Sequence, residues 1–356
     1  MKKTALIMAG GRGERFWPKS RKSHPKQFLC LTEDGKTMIQ HTVERILPMV
    51  EPEDIYIAAN RDYKELVQGQ LPQIPEENIL CEPVGRNTAP CIGWAAAHIR
   101  RRYGDAVMIV LPSDHLIKYN AIFLATLREG CQVAEEGRNL VTIGITPSHP
   151  ETGYGYVQFD SIRMKGKAFA VDRFVEKPDR ATAKAYLESE QYLWNSGIFL
   201  WKASAILENI RAYLPHIYEG LEKVEAAMGT AEEEKVLERE FFRMPSTSID
   251  YGVMEKAKDI YILPGAFGWD DVGSWLALDR INPQDEMGNV ISGNVITVET
   301  HNSIIQGGEK LMALVGVRGM IAVDTGDALL LCDKDSTGEM KRVLESLRAQ
   351  GRAQYL

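Results

Sequence analysis

The chain reads TALIMAGGRGERFWP from Thr4 to Pro18, and this stretch decides the fold. Its first six residues form a short apolar run that stops at Gly10-Gly11, which is the pattern of a buried strand. A strand that ends in a glycine-rich loop brings backbone N–H groups close to an anion. The stretch therefore predicts an α/β sheet with an anion site after its first strand. Taken alone, the loop is explained equally well as a structural turn.

The loop is neither of two familiar nucleotide-binding loops. It is not a P-loop because Gly-Lys-Ser/Thr does not follow, and it is not the dinucleotide fingerprint because Phe16 stands where the third glycine should be. The missing P-loop disfavours a kinase or another NTPase. Arg12, Arg15 and Lys26 still place positive charge around the loop, which suits an anionic ligand.

Composition excludes several other classes of protein. The 356 residues carry a net charge of −7, so no basic excess is available for general nucleic-acid binding. The five cysteines are scattered without a C-x-x-C pair, which argues against a zinc site and favours free thiols in a reducing compartment. No run approaches the ~18 apolar residues of a membrane span. We expect a cytoplasmic protein that binds neither nucleic acid nor membrane.

Segments of strand and helix character alternate along the first part of the chain, which predicts a mostly parallel sheet with helices on both faces. The predicted strands are Thr4–Ala9, Ile55–Ala59, Ala106–Leu111 and Leu140–Ile145, and the predicted helices are Met38–Val50, Cys91–Ile99 and Ala121–Ala134. A middle region adds strands Tyr154–Phe159, Phe169–Glu176 and Gly197–Trp201 and helices Ala181–Glu190 and Ala231–Phe241. We interpret this region as an insertion into the same sheet.

The pattern changes near Asn282-Pro283, so we predict domains at 1–283 and 284–356. Short apolar runs recur every 8–12 residues between Asn289 and Leu331, with no room for a helix between them, which predicts a small all-β module. Glu339–Ala349 is predicted to form a closing helix.

Two carboxylate positions are candidates for metal binding. Asp114 follows an apolar strand, and ligands of open α/β sheets bind at the carboxyl ends of strands. Asp270 and Asp271 are adjacent in an aromatic stretch, and we expect one of them to cap the following helix while the other, Asp271 by preference, binds the metal. Magnesium takes one or two carboxylates and completes its shell with phosphate and water.

Together these stretches resemble the sugar-nucleotide pyrophosphorylase family, and within it the mannose-1-phosphate guanylyltransferases. The family pattern G-x-G-x-R-F/L-x-P followed by P-K matches Gly11–Pro18 and Pro25-Lys26, and Glu82–Pro90 is similar to the guanylyltransferase branch. The other matches, in family order, are Leu111–His115, Gly153–Tyr156, Phe174–Pro178, Asn195–Phe199 and Trp269–Trp275.

The resemblance implies a fold and a reaction. The fold is a Rossmann-like nucleotidyltransferase of the glycosyltransferase-A-like type, with a mixed α/β sheet and a short, left-handed β-helix-like module at the C-terminal end. The reaction joins GTP to mannose-1-phosphate in the presence of Mg²⁺ and yields GDP-mannose and pyrophosphate. Longer relatives carry an isomerase domain after the transferase, so phosphomannose isomerase activity is not expected here.

The reaction brings two polyanions together, so cations and backbone N–H groups must offset their repulsion. The resemblance implies that Gly10, Gly11 and Gly13 wrap the triphosphate, Arg15 binds the leaving phosphates, Lys26 lies at the α-phosphate, Asp114 and Asp271 hold Mg²⁺, Lys177 holds the sugar phosphate, and Gly155, Glu176 and Asn195 bind sugar hydroxyls.

The guanine base needs a carboxylate that accepts from N1–H and N2–H₂ together, a donor pair that adenine lacks. Glu82 is the preferred candidate, and Gly85 and Asn87 are expected in the same nucleotide site. Alternatives stay open at this point. They are a guanylyltransferase for another sugar-1-phosphate, such as a heptose, and a non-catalytic GDP-mannose sensor. A homodimer is also compatible with the β-rich tail.

Overall fold

The computed structural model of the chain describes residues 1–11 and 13–356; Arg12, which we expected beside the anion site, lies outside the described residues. The strands are β1 (Lys3–Ala9), β2 (Ile55–Asn60), β3 (Ile79–Glu82), β4 (Val107–Pro112), β5 (Leu116–Ile117), β6 (Leu140–Ile145), β7 (Gly155–Lys165), β8 (Ala168–Glu176), β9 (Tyr192–Lys202), β10 (Ile260–Gly265), β11 (Trp269–Asp270), β12 (Val290–Ser292), β13 (Val295–Val298), β14 (Ile304–Gln306), β15 (Met312–Val315), β16 (Met320–Asp324) and β17 (Leu329–Asp333). The helices are α1 (Met38–Ile46), α2 (Lys64–Gln70), α3 (Thr88–Tyr103), α4 (Asn120–Glu135), α5 (Arg180–Ser189), α6 (Ala203–Tyr213), α7 (Pro215–Ala227), α8 (Glu233–Arg243), α9 (Leu278–Ile281) and α10 (Met340–Ala349).

The described chain divides into two compact units. The first consists of Met1–Gly10, Thr42–Ser113 and Ile117–Trp269, and the second consists of Gly11–His41, Asp114–Leu116 and Asp270–Leu356. This division differs from the predicted domains 1–283 and 284–356. The glycine-rich loop groups with the tail because apolar residues after the loop, such as Phe16 and Trp17, share a core with tail residues.

The first unit is built on a nine-stranded sheet of order β3-β2-β1-β4-β9-β6-β10-β8-β7. Strands β1 to β4 are parallel, and β6 is parallel to β10. Strand β9 runs antiparallel to both β4 and β6, and β8 runs antiparallel to β10. The sheet is therefore mixed, as the family resemblance implied, and not mostly parallel as the strand–helix alternation predicted.

Helices cover both faces of this sheet, as the strand–helix alternation predicted. Trp201 of β9 shares a core with α3 and α6. Its neighbour Leu200 lies close to Gly130 of α4. Successive side chains of a strand point to opposite faces, so α3 and α4 lie on different sides of the sheet.

Several predicted boundaries were wrong, each for a local reason. Helix α1 ends at Ile46 rather than Val50 because Pro48 disfavours helical geometry in the residue before it. Strand β9 begins at Tyr192 rather than Gly197, because pairing with β7 extends it through Trp194. Helices α2, α6 and α7 and strands β3 and β10 were not predicted.

The tail of the second unit stacks parallel coils, as the predicted all-β module requires. Val290 of β12 pairs with Ile304 of β14, which pairs with Ile321 of β16, so three apolar side chains lie one above another. Strand β13 pairs in parallel with β15. This repetition is typical of a β-helix. The closing helix α10 follows as predicted and buries Leu344 in the same core as Ile321.

Within residues 1–11 and 13–356, no helix combines the length and the hydropathy that crossing a bilayer requires.

A substitution at Trp201 of β9 tests the packing of the core. The Trp201 side chain is fully buried and stacks on Phe199 with ring centroids 5.2 Å apart. Trp201→Ala should lower the free energy of unfolding by about 3–5 kcal/mol, because it leaves a large cavity. The exposed control Ile162→Ala should change it by less than about 0.5 kcal/mol in the same urea titration. Equal effects of the two changes would contradict this account of the core.

Candidate active site

The second unit contains a cavity of about 640 Å³ beside the glycine-rich loop, which we call the loop pocket. Its described lining is Gly13, Glu14, Arg15, Phe16, Lys26, Asp114, His115, Asp271, Gly273, Met340, Lys341, Leu344 and Arg348. Five residues selected from the sequence thus meet here, namely Gly13, Arg15, Lys26, Asp114 and Asp271. Gly10 and Gly11, which were also predicted to wrap the triphosphate, are not part of this described lining.

Lys26 is the centre of this pocket. Its side chain is only 6% exposed, and its ammonium donates to Asp114 Oδ2 at 2.8 Å and to the Asp271 carbonyl at 2.7 Å. The Phe16 ring lies below, with its centroid 6.0 Å from Nζ. A buried ammonium requires such pairing, because desolvation penalises an unpaired charge. Lys26 therefore has a fixed position and a fixed direction into the pocket.

Gly13 is required by its contact with Lys26. Its φ is +61°, and a Cβ atom there would lie 2.4 Å from the Lys26 Cβ and 2.7 Å from the Lys26 backbone nitrogen. Neither contact is possible for a real side chain, so only glycine lets the loop lie against this lysine. Gly10 and Gly11 are exposed and belong to different units.

Asp114 carries a stable negative charge. Burial raises the pKa of its carboxyl group, but the charges of Lys26 and His115 outweigh burial and leave the pKa below the usual value. The carboxylate is therefore ionised at neutral pH.

Asp270 and Asp271 have different environments. Asp270 accepts from the Val272 N–H at 2.8 Å and from Arg280 at 2.7 and 3.0 Å, so it has a structural partner on each side. Asp271 lines the loop pocket. Val272 between this pair and Gly273 has φ +47°, a strained value for a β-branched residue and one that is concentrated at functional sites. Of the two carboxylates, Asp271 is the one in the described lining of the loop pocket. The prediction that one of the two aspartates caps the following helix was wrong. The next helix is the 3₁₀ helix Trp275–Ala277, and its N-cap residue is Ser274.

The first unit places Glu82 at the end of β3. The side chain is buried, and its Oε1 has no hydrogen-bond partner among the residues that the structure describes. Burial raises its pKa to about 7. A Cβ on Gly10 would lie 3.8 Å from Glu82 Oε2, so the carboxyl group is adjacent to the end of β1. A ligand that donates a hydrogen bond can satisfy such a buried acceptor.

The other two residues predicted near the base, Gly85 and Asn87, follow Glu82 closely in the chain and are both exposed. Asn87 has φ +67° and accepts from the Thr88 N–H at 2.9 Å, so it caps α3. Gly85 has open space around its Cα. Both keep a nucleotide role as a prediction, and Asn87 has a structural one as well.

A second polar cluster of the first unit joins the predicted sugar residues. Gly155 pairs with Glu176 across β7 and β8, and a Cβ on Gly155 would lie 2.1 Å from Glu176 Oε1. Asn195 Nδ2 donates to Asp250 Oδ1 at 2.7 Å. Lys177 is exposed, with its ammonium 3.5 Å from Glu176. These side chains supply both donors and acceptors, which sugar hydroxyl groups require.

Asp250 was not selected from the sequence. It begins a π-helical turn, Asp250–Met254, of the kind found at functional sites. Burial, followed by the negative charge of Glu176, raises its pKa to about 6. The only signal in the sequence was a carboxylate directly before an apolar run. His115, Lys341 and Arg348 of the loop pocket were missed too.

Comparison with known proteins gives two family matches along the chain. A family model described as Nucleotidyl transferase matches residues 4–288, and one described as MannoseP isomerase/GMP-like beta-helix domain matches residues 293–347. The chain is 41% identical to a mannose-1-phosphate guanylyltransferase of Escherichia coli (strain K12), over 98% of this chain and 74% of the relative. It is 42% identical, with the same coverage, to the xanthan biosynthesis protein XanB of Xanthomonas campestris pv. campestris.

A solved structure from Thermus thermophilus, described as a mannose-1-phosphate geranyltransferase, is similar throughout. It is 36% identical, superposes with a TM-score of 0.88, and the match covers 98% of this chain and 100% of that chain. The chain spans about three quarters of the length of the curated relatives.

The pKa of Asp250 predicts a change of stability with pH. The folded value of about 6 exceeds the ordinary 3.8, so the folded state holds this proton more tightly than the unfolded chain. Its contribution is complete below about pH 4 and is lost as pH rises through about 6, a change of about 2–3 kcal/mol. Asp250→Asn keeps the acceptor for Asn195 but does not titrate.

Urea unfolding of both proteins at pH 4.5 and pH 8 measures this effect. Asp250→Asn should gain stability relative to the native protein at pH 8. A stability difference that does not change with pH would contradict the raised pKa.

Proposed function

The chain belongs to the nucleotidyl transferase family, and on that basis we propose that it is a mannose-1-phosphate guanylyltransferase, which makes GDP-mannose and pyrophosphate from GTP and mannose-1-phosphate. The observation that carries the proposal is the convergence of Lys26, Asp114 and Asp271 in the loop pocket. The names of relatives at 40–41% identity over nearly the whole chain support the choice of sugar and nucleotide.

Charge compensation is the main chemical task of the proposed reaction. An oxygen of the sugar phosphate attacks the α-phosphorus of GTP, and pyrophosphate leaves. The attacking phosphate is already an anion, so no general base is needed. Lys26 stabilises the charge that builds on the α-phosphate, and exposed Arg15 binds the leaving phosphates. Because the Lys26 ammonium is held in advance, little reorganisation accompanies the reaction.

Magnesium fits the donor set of the loop pocket. The Asp114 carboxyl group is ionised at neutral pH. Asp271 is the second carboxylate of the pocket, whereas Asp270 forms an ion pair with Arg280. Asp114 and Asp271 would hold the ion, since two carboxylates with phosphate and water complete the shell that Mg²⁺ prefers. When bound, the ion neutralises phosphate charge as a Lewis acid.

Glu82 recognises the guanine base in this proposal. Its buried Oε1 has no partner among the described residues, and guanine offers two adjacent N–H donors to one carboxylate. Only the ionised form accepts both, so the pKa near 7 makes base binding sensitive to pH.

The sugar phosphate is assigned to the polar cluster of the first unit. Glu176, Asn195 and the backbone at Gly155 bind mannose hydroxyls, with Asp250 holding Asn195, and Lys177 binds the phosphate. A cytoplasmic location is part of the proposal, because the five cysteines are unpaired thiols. A homodimer through the β-rich tail stays a prediction that light scattering can test.

Release of pyrophosphate tests the reaction directly. With GTP, Mg²⁺ and a panel of sugar-1-phosphates, we expect release with mannose-1-phosphate and a loss of about 10²–10³ in kcat for Lys26→Ala. The control is Lys19→Ala, which removes a lysine of the same segment that donates to the Cys30 carbonyl and to Gln306. Pyrophosphate release with a heptose-1-phosphate only would change the assigned substrate. Binding of GDP-mannose without any release of pyrophosphate would indicate a sensor.

Glu82→Gln should weaken the preference for GTP over ATP by about ten- to hundredfold, because an amide cannot accept from both guanine donors. In the native protein the Kd for GTP should rise as pH falls from 8 to 6, since protonation removes the acceptor. The variant should show no such rise. Exposed Glu77→Gln is the control. A Glu82→Gln protein with the native nucleotide preference and pH profile would remove Glu82 from the base site.

Asp271→Asn should raise the Mg²⁺ concentration for half-maximal activity by about tenfold or more. Its neighbour provides the matched control, since Asp270→Asn breaks the pair with Arg280 and should lower the melting temperature without changing the Mg²⁺ requirement. If Asp271→Asn needs no additional Mg²⁺, the metal assignment is wrong.

A further inference from the structure

The loop pocket has one wall from the end of the chain. Met340 and Leu344 of α10 are buried in the core of the second unit, while Lys341 and Arg348 line the pocket. Trp17 of the loop segment donates to the Tyr355 carbonyl at 2.7 Å, which fixes the last residues beside it. The closing helix is therefore part of the pocket and not only an end cap of the β-helix.

The lining also contains an acid without a place in the proposed reaction. Asp114 and Asp271 are assigned to the metal, whereas Glu14 lies in the glycine-rich loop itself, beside Arg15. A carboxylate at this position repels a triphosphate. A loop built to bind phosphates gains nothing from this charge unless another group compensates it.

Arg348 provides that compensation. Its Nη2 donates to Glu14 Oε1 at 2.7 Å, across 334 residues of sequence. The side chains are 46% and 44% exposed, and ion pairs of such exposure contribute little to stability. We therefore look for the effect of this pair in ligand binding, where the negative charge of Glu14 would repel a triphosphate.

We propose that Arg348 is a positioning residue for nucleotide binding, which pairs with Glu14 and so keeps its negative charge from the triphosphate. The proposal rests on the proposed function. It makes the C-terminal helix a determinant of nucleotide affinity, acting through the loop and not through the reacting atoms.

A double-mutant cycle on KM for GTP tests this inference. Arg348→Ala should raise KM by about tenfold at low salt, the order expected for one unit charge near a phosphate at a half-exposed site, with little change in kcat. Glu14→Gln should lower KM, and the double variant should return close to the native value. The effect of Arg348→Ala should shrink in about 0.5 M NaCl, because salt screens exposed charges.

The matched control is Arg342→Ala. Arg342 lies on the same helix and pairs with Glu339 at 2.7 Å, outside the described lining of the pocket. It should leave KM unchanged. Arg348→Lys, which keeps the charge, should recover most of the native affinity, and circular dichroism melting confirms that each variant folds.

Binding of inorganic tripolyphosphate by calorimetry separates the two proposals. If no sugar phosphate yields pyrophosphate, the proposed function fails. The inference still stands if Arg348→Ala weakens the binding of tripolyphosphate and the added Glu14→Gln change restores it. The inference is overturned if the native protein turns over normally and Arg348→Ala has the same KM for GTP. It is also overturned if the double variant binds as weakly as Arg348→Ala.

Discussion

A buried ammonium group organises the second unit. Lys26 loses its hydration, and the Asp114 carboxylate and the Asp271 carbonyl replace it. Because lysine and partners come from three distant segments, a single charge requirement holds the glycine-rich loop, the turn after β4 and the aspartate turn in one pocket. Gly13 is glycine because Lys26 lies against it, and Val272 accepts a strained backbone conformation in the turn that presents the Asp271 carbonyl.

The acids of the molecule fall into two groups according to what faces them. Asp114 meets two positive neighbours, so its pKa falls and its charge is permanent. At Glu82 and Asp250 no cation is strong enough to offset desolvation, so their pKa values rise to about 7 and about 6. A permanent anion suits a metal ligand, whereas a carboxyl group that titrates near neutrality suits recognition of a ligand that donates hydrogen bonds.

Local patterns predicted what depends on local sequence. The strand Thr4–Ala9 and the glycine-rich loop after it were identified because their signal lies within a few residues, and the motif order then indicated the pocket residues. The early start of β9 was missed because it depends on pairing with β7, which periodicity along one strand does not report. Asp250 was missed because its contact with Asn195 joins residues 55 apart, and Arg348 because its partner lies near the other end of the chain. No single-sequence pattern contains such pairs.

The central claim is that the Lys26 ammonium, already held in the loop pocket by Asp114 and the Asp271 carbonyl, binds the α-phosphate. A crystal structure of the protein with GDP-mannose and Mg²⁺ tests it most directly. The account predicts that the Lys26 ammonium lies within hydrogen-bond distance, about 3 Å, of an α-phosphate oxygen while Asp114 and Asp271 ligate the metal. A complex in which the phosphates lie beyond hydrogen-bond distance of Lys26 and away from the glycine-rich loop would contradict it.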